Sequence, residues 1–302
     1  MKCLIVGVSG FLGRNVLSIL TEKGFSGLAL YNRGFSQVNN INHPFRFEHF
    51  DLGDPKLINE SFDTLIYLAH GFLGKAKLPT STDFYRNRIL INLAGIFSVL
   101  SSGANTKSII YSSSAFVYPW KSRENISEKT FPRPFSIYGM EKLVVEKFLE
   151  EFCEKNKIHL TILRFTQLYG PGDPHKQFIT RMIEDAFFGR EVHVEGKGED
   201  ARDILHVRDA AYAIYQVIER RSRGIFNISS GQTVDLETCG HLCLELAGRD
   251  PSELIYMPRK RKIIRISYSN KKAFNAFGFQ PTILLKDGIN ECLMALKIQH
   301  AY

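Results

Sequence analysis

The first half of the chain alternates short apolar segments with longer amphipathic ones. Apolar residues at helical spacing predict helices over residues 11–23, 84–100 and 141–153. Short apolar runs predict strands, which cover residues 2–6, 28–31, 45–50, 65–69, 108–111 and 159–164. Strands that alternate with helices indicate an α/β fold, in which right-handed crossovers build a doubly wound parallel sheet with helices on both faces.

The regular alternation weakens after the turn Gly170-Pro171-Gly172. Beyond it, one more strand is predicted at 225–228 and helices are predicted at 177–188, 233–247 and 285–297. The weaker pattern indicates a second, smaller domain. We predict a large domain over residues 1–169, to which 200–226 return, and a smaller α/β C-terminal lobe over 170–199 and 227–302.

Composition indicates an ordinary globular protein, with 44% hydrophobic and 23% charged residues among 302. The formal net charge of +8 favours an anionic partner, such as a phosphorylated small molecule. The longest basic run, Arg259-Lys260-Arg261-Lys262, has no aromatic platform or nucleic-acid-binding motif near it. We therefore interpret it as a solvated loop and expect no nucleic-acid partner.

The cysteines and the apolar runs bear on where the protein works. Its five cysteines are odd in number and scattered, which argues against a disulfide framework. Cys239 and Cys243 are one helical turn apart, but no second pair completes a zinc site, so we expect no bound metal. No apolar window reaches the ~18 residues that a membrane helix needs. The sequence thus predicts a soluble cytoplasmic protein without a membrane partner.

A glycine-rich turn separates the first predicted strand from the first predicted helix. Such a turn lets the backbone approach a pyrophosphate, and the helix beyond it offers free N–H groups and the positive end of its dipole. The alternative is a tight turn without a ligand. The candidate cofactor-binding residues of this segment are Gly7, Gly10, Phe11, Leu12, Gly13 and Arg14.

The end of the second predicted strand selects between dinucleotides. A site for NAD usually has a carboxylate there, which accepts a hydrogen bond from the ribose 2′-hydroxyl. This chain has Asn32 and Arg33 instead, and a guanidinium at Arg33 or Arg14 suits the 2′-phosphate of NADP. We predict NADP, with NAD as the alternative. After the third strand, Asp51 and Leu52 are candidates to contact the adenine, although Asp51 also fits a plain turn.

A tyrosine and a lysine four residues apart form the core of the candidate catalytic site. At helical spacing Tyr138 and Lys142 share one face. We expect the Lys142 ammonium to favour the phenolate and lower the pKa of Tyr138, which is near 10 in an unperturbed tyrosine. Ser114 closes a serine cluster after a strand, where its hydroxyl can hydrogen-bond a reacting oxygen.

Nine segments, in this order, resemble the extended short-chain dehydrogenase/reductase family and its nucleotide-sugar-modifying NAD-dependent epimerase/dehydratase branch. They are GVSGFLG (7–13), YLAHG (67–71), NLAG (92–95), YSSSAFVY (111–118), YGMEK (138–142), LRFTQLYGPG (163–172), RDILHVRD (202–209), FNISSG (226–231) and GFQP (278–281). The resemblance implies a Rossmann-type dinucleotide-binding domain followed by a substrate-binding lobe.

The resemblance also implies roles for particular residues near the cofactor. Ser114, Tyr138 and Lys142 correspond to the family's catalytic triad, in which the tyrosine is the acid/base and the lysine also holds the nicotinamide ribose. Asn92 corresponds to a structural or relay asparagine. The segment after the fourth predicted strand would contact the cofactor through Leu68, Ala69 and His70.

Toward the substrate, the resemblance points to Gln167, Arg202, Ser114 and Tyr138. Arg202 resembles the arginine that grips the diphosphate of a nucleotide-sugar, and paired guanidinium donors suit a diphosphate. The alternative for Arg202 is a salt bridge with Asp203 or Asp209. We interpret His175 as a surface-loop residue.

Two positions depart from related subfamilies. Gln167 stands where many relatives have an asparagine. Ala115 and Phe116 stand where sugar 4,6-dehydratases have an acid pair, and the fucose synthases that also epimerise have a cysteine there. The chain therefore lacks the acid and base that water elimination needs at this place.

Three functions remain open from the sequence. The first is an NADPH-dependent reductase of a nucleotide-bound 4-keto-6-deoxy sugar, serving surface-polysaccharide synthesis. The alternative is a nucleotide-sugar 4-epimerase with tightly bound NAD. The third is a non-catalytic nucleotide-binding protein, which the complete Ser-Tyr-Lys set disfavours. From the family we also expect a homodimer, formed through the helices over 84–100 and 141–153.

Overall fold

The structure is a computed structural model, and it describes residues 1–32, 44–51, 57–70, 90–121, 123–174 and 176–301. Within these ranges the strands are β1 Lys2–Val6, β2 Ser26–Tyr31, β3 Phe45–His49, β4 Ser61–Tyr67, β5 Asn105–Ser114, β6 Arg123–Ile126, β7 His159–Phe165, β8 Gln167–Tyr169, β9 His193–Glu195, β10 Ala201–Arg202, β11 Ile204–His206, β12 Gly224–Ile228, β13 Val234–Asp235, β14 Ile255–Met257 and β15 Arg265–Tyr268.

The helices in the same ranges are α1 Phe11–Glu22, α2 Gly95–Ser101, α3 Ile137–Asn156, α4 Phe178–Phe187, α5 Val207–Arg220, α6 Leu236–Leu246, α7 Lys271–Phe277 and α8 Leu285–His300. A π-helical turn over Leu90–Ala94 precedes α2, and a short 3-10 turn over Ala115–Val117 follows β5.

Seven strands form the main sheet, in the order β12-β7-β5-β4-β1-β2-β3. The sheet is parallel, and β1 lies between β2 and β4 with Leu4 opposite both Leu28 and Leu65. Strand order steps outward from β1 in both directions, which defines the doubly wound Rossmann-like fold. The predicted α/β class is confirmed.

Helix α3 is longer than its predicted span of 141–153 because its ends are set by local capping. The Ser136 side chain accepts a hydrogen bond from Gly139 N at 3.1 Å, so the helix begins at Ile137. At the other end Lys157 takes a left-handed conformation, with φ 57°. Tyr138 therefore lies in the first turn of the same helix as Lys142.

One predicted helix has a different outcome, and one observed helix was not predicted. Of the helix predicted over 84–100, residues 84–89 lie outside the described residues, and the rest divides into the π-helical turn and α2. Helix α5 was missed by sequence analysis. It buries Ala210, Ile214 and Val217, a helical spacing, but it follows β11 directly. Its first turn is capped by His206, whose Nδ1 accepts from Arg208 N at 3.3 Å, and not by one of the Ser, Thr, Asp or Asn residues that usually mark a helix start.

The described residues divide into two compact units. Unit 1 comprises 1–119, 132–164 and 214–226, and unit 2 comprises 120–131, 165–213 and 227–302. Unit 1 packs its core from alternate residues of the main sheet, such as Leu4, Leu28 and Leu65. The domain boundaries drawn from the sequence remain a prediction.

Unit 2 builds its core around α4, α6 and α8. Cys239, Cys243 and Cys292 are buried in it as free thiols. Burial raises the pKa of Cys239 to about 12 and that of Cys292 to about 12, so these residues pack as small apolar side chains. Within the described ranges, no helix combines the length and the apolar composition that a membrane crossing requires.

A buried ion pair joins α3 to the main sheet in unit 1. Arg164 of β7 donates to both carboxylate oxygens of Glu146, at 3.0 Å and 2.6 Å, and Ser113 of β5 donates to the same carboxylate. Glu146 is 0% exposed and Arg164 is 2% exposed. Burial works to lower the pKa of Arg164, but the hydrogen bonds and charge of Glu146 outweigh it and raise the pKa.

Replacing Arg164 tests how much this pair contributes. Arg164→Met leaves the Glu146 carboxylate buried without its partner, and we expect the free energy of unfolding to fall by about 3–5 kcal/mol. The measurement is urea unfolding followed by circular dichroism. Lys147→Met, which removes an exposed ion pair with Glu150 on the same helix, is the control and should change stability by less than about 1 kcal/mol. Equal losses in the two variants would contradict the assignment.

Candidate active site

The glycine turn after β1 lies close to the end of β4. Gly7 has φ +89°, and a Cβ added to it would come within 2.7 Å of Ala69 N. Gly7 N and Val8 N both donate to Leu30 O, at 3.0 Å and 3.2 Å, which ties the turn to the end of β2. A residue with a side chain at position 7 would push β1 and β4 apart or strain the backbone.

The start of α1 is open to a ligand in the way that a phosphate requires. Its N-cap residue is Gly10, which gives no side-chain capping hydrogen bond, and no acidic residue occupies the first turn. A Cβ on Gly13 would overlap Gly7 O and come within 2.8 Å of Val8 O. The backbone cradle fits the pyrophosphate of a dinucleotide, because side chains are excluded from it and a helix N-terminus borders it.

The other predicted cofactor residues surround this turn in unit 1, as far as they are described. Phe11 is buried, whereas Leu12 and Arg14 are part-buried in the first turn of α1. Burial lowers the pKa of Arg14. Asn32 and Asp51 are exposed at the ends of β2 and β3. The predictions for Arg33 and Leu52 fall outside the described residues.

Ser114 and Tyr138 meet where β5 ends and α3 begins. The Ser114 side chain accepts from Phe116 N at 3.2 Å, which caps the 3-10 turn, and it also hydrogen-bonds the Tyr138 hydroxyl. A Cβ on Gly139 would overlap Phe116 O. The turn after β5 and the first turn of α3 therefore pack backbone to backbone, which brings the two hydroxyls together.

Two ring systems contact the Tyr138 ring edge-on. His70, after β4, has its ring centroid 4.9 Å from that of Tyr138 at an interplanar angle of 89°. The Phe116 centroid lies 5.9 Å from it at 78°. Tyr138 is thus held by packing on both sides, which limits the positions that its hydroxyl can take.

Lys142 is buried directly below the tyrosine. Its Nζ donates to Ser112 O at 2.8 Å and lies 5.8 Å from the Tyr138 ring centroid and 5.0 Å from that of Tyr111. Burial lowers the pKa of Lys142 to about 8, although the charges of Glu146 and Glu141 work to raise it. The structure thus brings together the three predicted catalytic residues.

The sequence predicted a lowered pKa for Tyr138, and this prediction is wrong for the protein without ligands. Burial raises the pKa of Tyr138 above its ordinary value of 10.0; the hydrogen bond with Ser114 opposes the shift, and the charge of Glu141 adds to it. Lys142 reaches the ring but donates its hydrogen bond to a backbone carbonyl. Sequence spacing showed that the cation is close; it did not show how strongly the phenol is desolvated.

Glu141 belongs to this site and was missed by sequence analysis. It is 5% exposed, and its Oε2 accepts from Asn92 Nδ2 at 3.4 Å and lies 3.6 Å from His70 Nε2. The sequence pattern that could have identified Glu141 is the helical spacing of four residues, which puts two acids on the helix face that carries the catalytic pair. These residues are Tyr138, Glu141, Lys142 and Glu146.

The predicted substrate residues Gln167 and Arg202 lie in unit 2. Gln167 is part-buried in β8, where it pairs with Ile204 of β11. The Arg202 guanidinium lies 5.0 Å from the ring of Trp120 and donates to Ile264 O at 2.6 Å. Burial lowers the pKa of Arg202 even though the charge of Asp200 works to raise it.

The carboxylates weighed as partners of Arg202 have other roles. Asp203 accepts from Ser230 N at 2.8 Å and from Tyr268 N at 3.1 Å, while Asp209 accepts from Thr282 N at 3.2 Å. The acid that Arg202 meets is Asp200, with Nη2 3.7 Å from Oδ2. His175 lies outside the described residues.

The basic run 259–262 is only partly a solvated loop. Arg259 pairs with Glu199 and lies 3.5 Å from Asp200, and Arg261 lies 3.6 Å from Glu195. These contacts hold the run against the segment around β9 within unit 2.

Comparisons with known proteins show which family and which relatives the chain is similar to. The model of the NAD dependent epimerase/dehydratase family matches residues 3–229. The chain is 25% identical to the putative UDP-glucose 4-epimerase of Methanocaldococcus jannaschii over 97% of this chain and 98% of that protein. It is 23% identical to the UDP-glucose 4-epimerase of Halalkalibacterium halodurans, over 93% and 91% of the two chains.

Among solved structures, the fold is similar to that of the UDP-glucose 4-epimerase from Thermotoga maritima, determined with UDP-glucose. The TM-score is 0.80 at 25% identity, and the match covers 99% of each chain.

The buried ammonium of Lys142 predicts a pH-dependent stability difference. Below pH 8 the residue is charged in the folded and unfolded states, so the protein without ligands bears the cost of burying it. Between about pH 8 and 10.5 only the unfolded state keeps the proton, so the stability of the unchanged protein rises with pH relative to Lys142→Met. Lys142→Met buries no ammonium, so below pH 8 we expect it to be more stable than the unchanged protein. Between about pH 8 and 10.5 this difference in the free energy of unfolding should shrink, by about 3 kcal/mol at most.

Thermal unfolding of the cofactor-free protein from pH 6.5 to 10.5 measures this effect. Lys147→Met, a change of the same type at an exposed position of α3, should differ from the unchanged protein by an amount that stays constant. A constant difference for Lys142→Met as well would contradict the desolvation of its ammonium.

Proposed function

The chain belongs to the NAD dependent epimerase/dehydratase family, and from that premise we propose that it is a UDP-sugar 4-epimerase working with tightly bound NAD. One observation carries the proposal: a chain similar to UDP-glucose 4-epimerases over more than 90% of its length also brings Ser114, Tyr138 and Lys142 together, with His70 against Tyr138 and the neighbouring Ala69 against Gly7 of the glycine turn. The relatives favour this function over the reductase that the sequence alone puts first.

The chain's own residues supply the proton chemistry of a 4-epimerase. The glycine turn and the first turn of α1 would hold NAD, which would supply reversible hydride transfer at C4 of the sugar. Tyr138 takes the proton of the 4-hydroxyl as the ketone forms and gives it back as the alcohol re-forms. Ser114 holds the same oxygen by a hydrogen bond. The sugar ends with the same oxidation state, and its C4 configuration is inverted.

Lys142 makes the proton transfer to Tyr138 possible in this proposal. Because burial raises the pKa of Tyr138, its phenol needs nearby positive charge before it can act as a base. The Lys142 ammonium, 5.8 Å from the ring centroid, is the cation that the chain provides. Its hydrogen bond to Ser112 O fixes the ammonium in place.

Phe116 argues against the elimination chemistry of the related dehydratases. Its ring packs edge-on against Tyr138, at the place where those enzymes carry an acid. An aromatic ring cannot move a proton, so water elimination lacks a catalyst there. Epimerisation at C4 needs only the single acid/base Tyr138.

For the substrate, we propose that unit 2 binds the nucleotide-diphosphate part and that Arg202 contacts the diphosphate. The guanidinium is desolvated and oriented by Trp120 and Ile264 O, which strengthens its attraction for an anion. Gln167 remains a proposed sugar contact.

A second candidate function keeps one specific observation in its favour. In the sequence, Tyr31 is followed by Asn32 and Arg33, with no carboxylate for the ribose of NAD, and Arg14 lies in the first turn of α1. This pattern suits NADPH and a reductase of a nucleotide 4-keto-6-deoxy sugar.

We also propose that the enzyme is a homodimer in which α2 and α3 contact their copies. These helices expose Phe97, Met140 and Val144, each more than 40% accessible, and the Phe97 ring packs at a tilt against that of Phe148 with centroids 4.1 Å apart. Apolar side chains exposed on adjoining helices are typical of a subunit interface.

Turnover without added cofactor tests the proposal. Purified enzyme should interconvert UDP-galactose and UDP-glucose with no net change in nicotinamide absorbance, and the denatured protein should release NAD. Stoichiometric oxidation of added NADPH by a nucleotide 4-keto-6-deoxy sugar, without interconversion, would instead establish the reductase.

Tyr138→Phe is the matched control for this assay. It keeps the ring packing with His70 and Phe116 and removes only the hydroxyl. We therefore expect normal folding and a turnover that falls by about 10²–10⁴-fold. Retained activity would remove Tyr138 from the mechanism.

A further inference from the structure

The buried face of α3 carries more charge than the catalytic pair itself requires. Besides Tyr138 and Lys142 it presents Glu141, which is 5% exposed and contacts Asn92 and His70. Charges in such a site are screened little by water or salt, so each charge strongly shifts the pKa values of neighbouring groups. A buried acid beside an acid/base tyrosine therefore affects how readily the tyrosine gains and loses its proton.

Glu141 affects both members of the pair in the same direction. In Tyr138 its charge adds to burial and raises the pKa of the phenol. In Lys142, where burial lowers the pKa, the charges of Glu146 and Glu141 oppose that shift. Both effects follow from position, since Glu141 is three residues after the tyrosine and adjacent to the lysine on one helix.

We propose that Glu141 is a positioning residue whose single negative charge sets the pH range in which Tyr138 and Lys142 work together. The inference rests on the proposed role of Tyr138 as the acid/base. Glu141 itself transfers no proton to the sugar; it acts through the two residues beside it on α3.

Other charged and titratable groups face the pair from each packed element. They are His70 after β4, Tyr111 of β5, Glu146 of α3 and Arg164 of β7. Glu146 and Arg164 form their own bidentate ion pair, and the pKa of Tyr111 is raised well above 10.0 by burial. Replacing Glu141 changes one charge and leaves these groups in place.

One charge that faces both groups has a specific kinetic signature. A plot of kcat/KM against pH has a rising and a falling limb, and under this proposal the two limbs report the apparent pKa values of the coupled pair Tyr138 and Lys142. Removing the negative charge makes both protons easier to lose, so both limbs move to lower pH together. A role in packing alone would change the height of the profile and leave the limbs where they are.

Glu141→Gln is the direct test, since it keeps the shape of the side chain and can still accept the hydrogen bond from Asn92. With holoenzyme and UDP-galactose between pH 5 and 10.5, we expect both limbs to move down by about one pH unit. Glu151→Gln is the control, the same change at an exposed position of α3, and should leave the profile unmoved. Unmoved limbs in Glu141→Gln, or limbs that move apart, would overturn the inference.

A second variant covers the case in which Glu141→Gln does not fold. His70→Arg places a guanidinium, which keeps its charge over the whole pH range, where the imidazole lies 3.6 Å from Glu141. It offsets the same charge and should move both limbs in the same direction. Limbs that stay in place there would also overturn the inference. Failure of the unchanged enzyme to turn over UDP-galactose overturns the proposed function instead, so the two failures are distinguishable.

Discussion

The buried carboxylate of Glu146 determines how α3 lies on the main sheet. A carboxylate with 0% exposure is very costly to bury unless its oxygens are hydrogen-bonded, and here Arg164 and Ser113 supply those bonds. Ser113 precedes Ser114 in β5, and Tyr138 lies about two turns before Glu146 in α3. The ion pair thus fixes the register that brings the serine and tyrosine hydroxyls together.

Several groups in the active site occupy positions that do not stabilise the folded protein. Lys142 is an ammonium in a buried position, Tyr138 is a desolvated phenol, and the backbone comes so close to Gly7 and Gly13 that no side chain fits there. Each of these features suits a bound dinucleotide and an acid/base that must gain and lose a proton. Around them, the Glu146–Arg164 pair and the edge-on rings of His70 and Phe116 keep the reacting groups in position.

Local patterns predicted the first elements of the fold, whereas contacts between residues distant in sequence could not be predicted from them. Apolar runs and glycine turns marked β1, α1 and β2 closely. By contrast, β8, β9 and β11 are three residues each, too short to show a periodicity, and α5 begins after His206 instead of a typical capping residue. Nothing local reveals that Trp120 lies against Arg202, since only the folded unit 2 brings them together.

The same limit applies to the chemistry of the site. Spacing identified Tyr138 and Lys142 as neighbours on one helix face, and order along the chain identified Ser114. The direction of the Tyr138 pKa depends on burial and on Glu141, and neither is visible before α3 is packed on β5. Arg202 likewise meets Asp200, not the adjacent Asp203, because Asp203 accepts hydrogen bonds from Ser230 and Tyr268.

The central claim is that Tyr138 handles only the hydroxyl proton while the hydrogen on C4 leaves and returns as a hydride. The most direct measurement follows UDP-galactose that carries deuterium at C4 as the enzyme converts it in ordinary water. The account predicts that the UDP-glucose formed keeps the deuterium at C4. Loss of the label to solvent would mean that a base removes the C4 hydrogen as a proton, and would contradict the account.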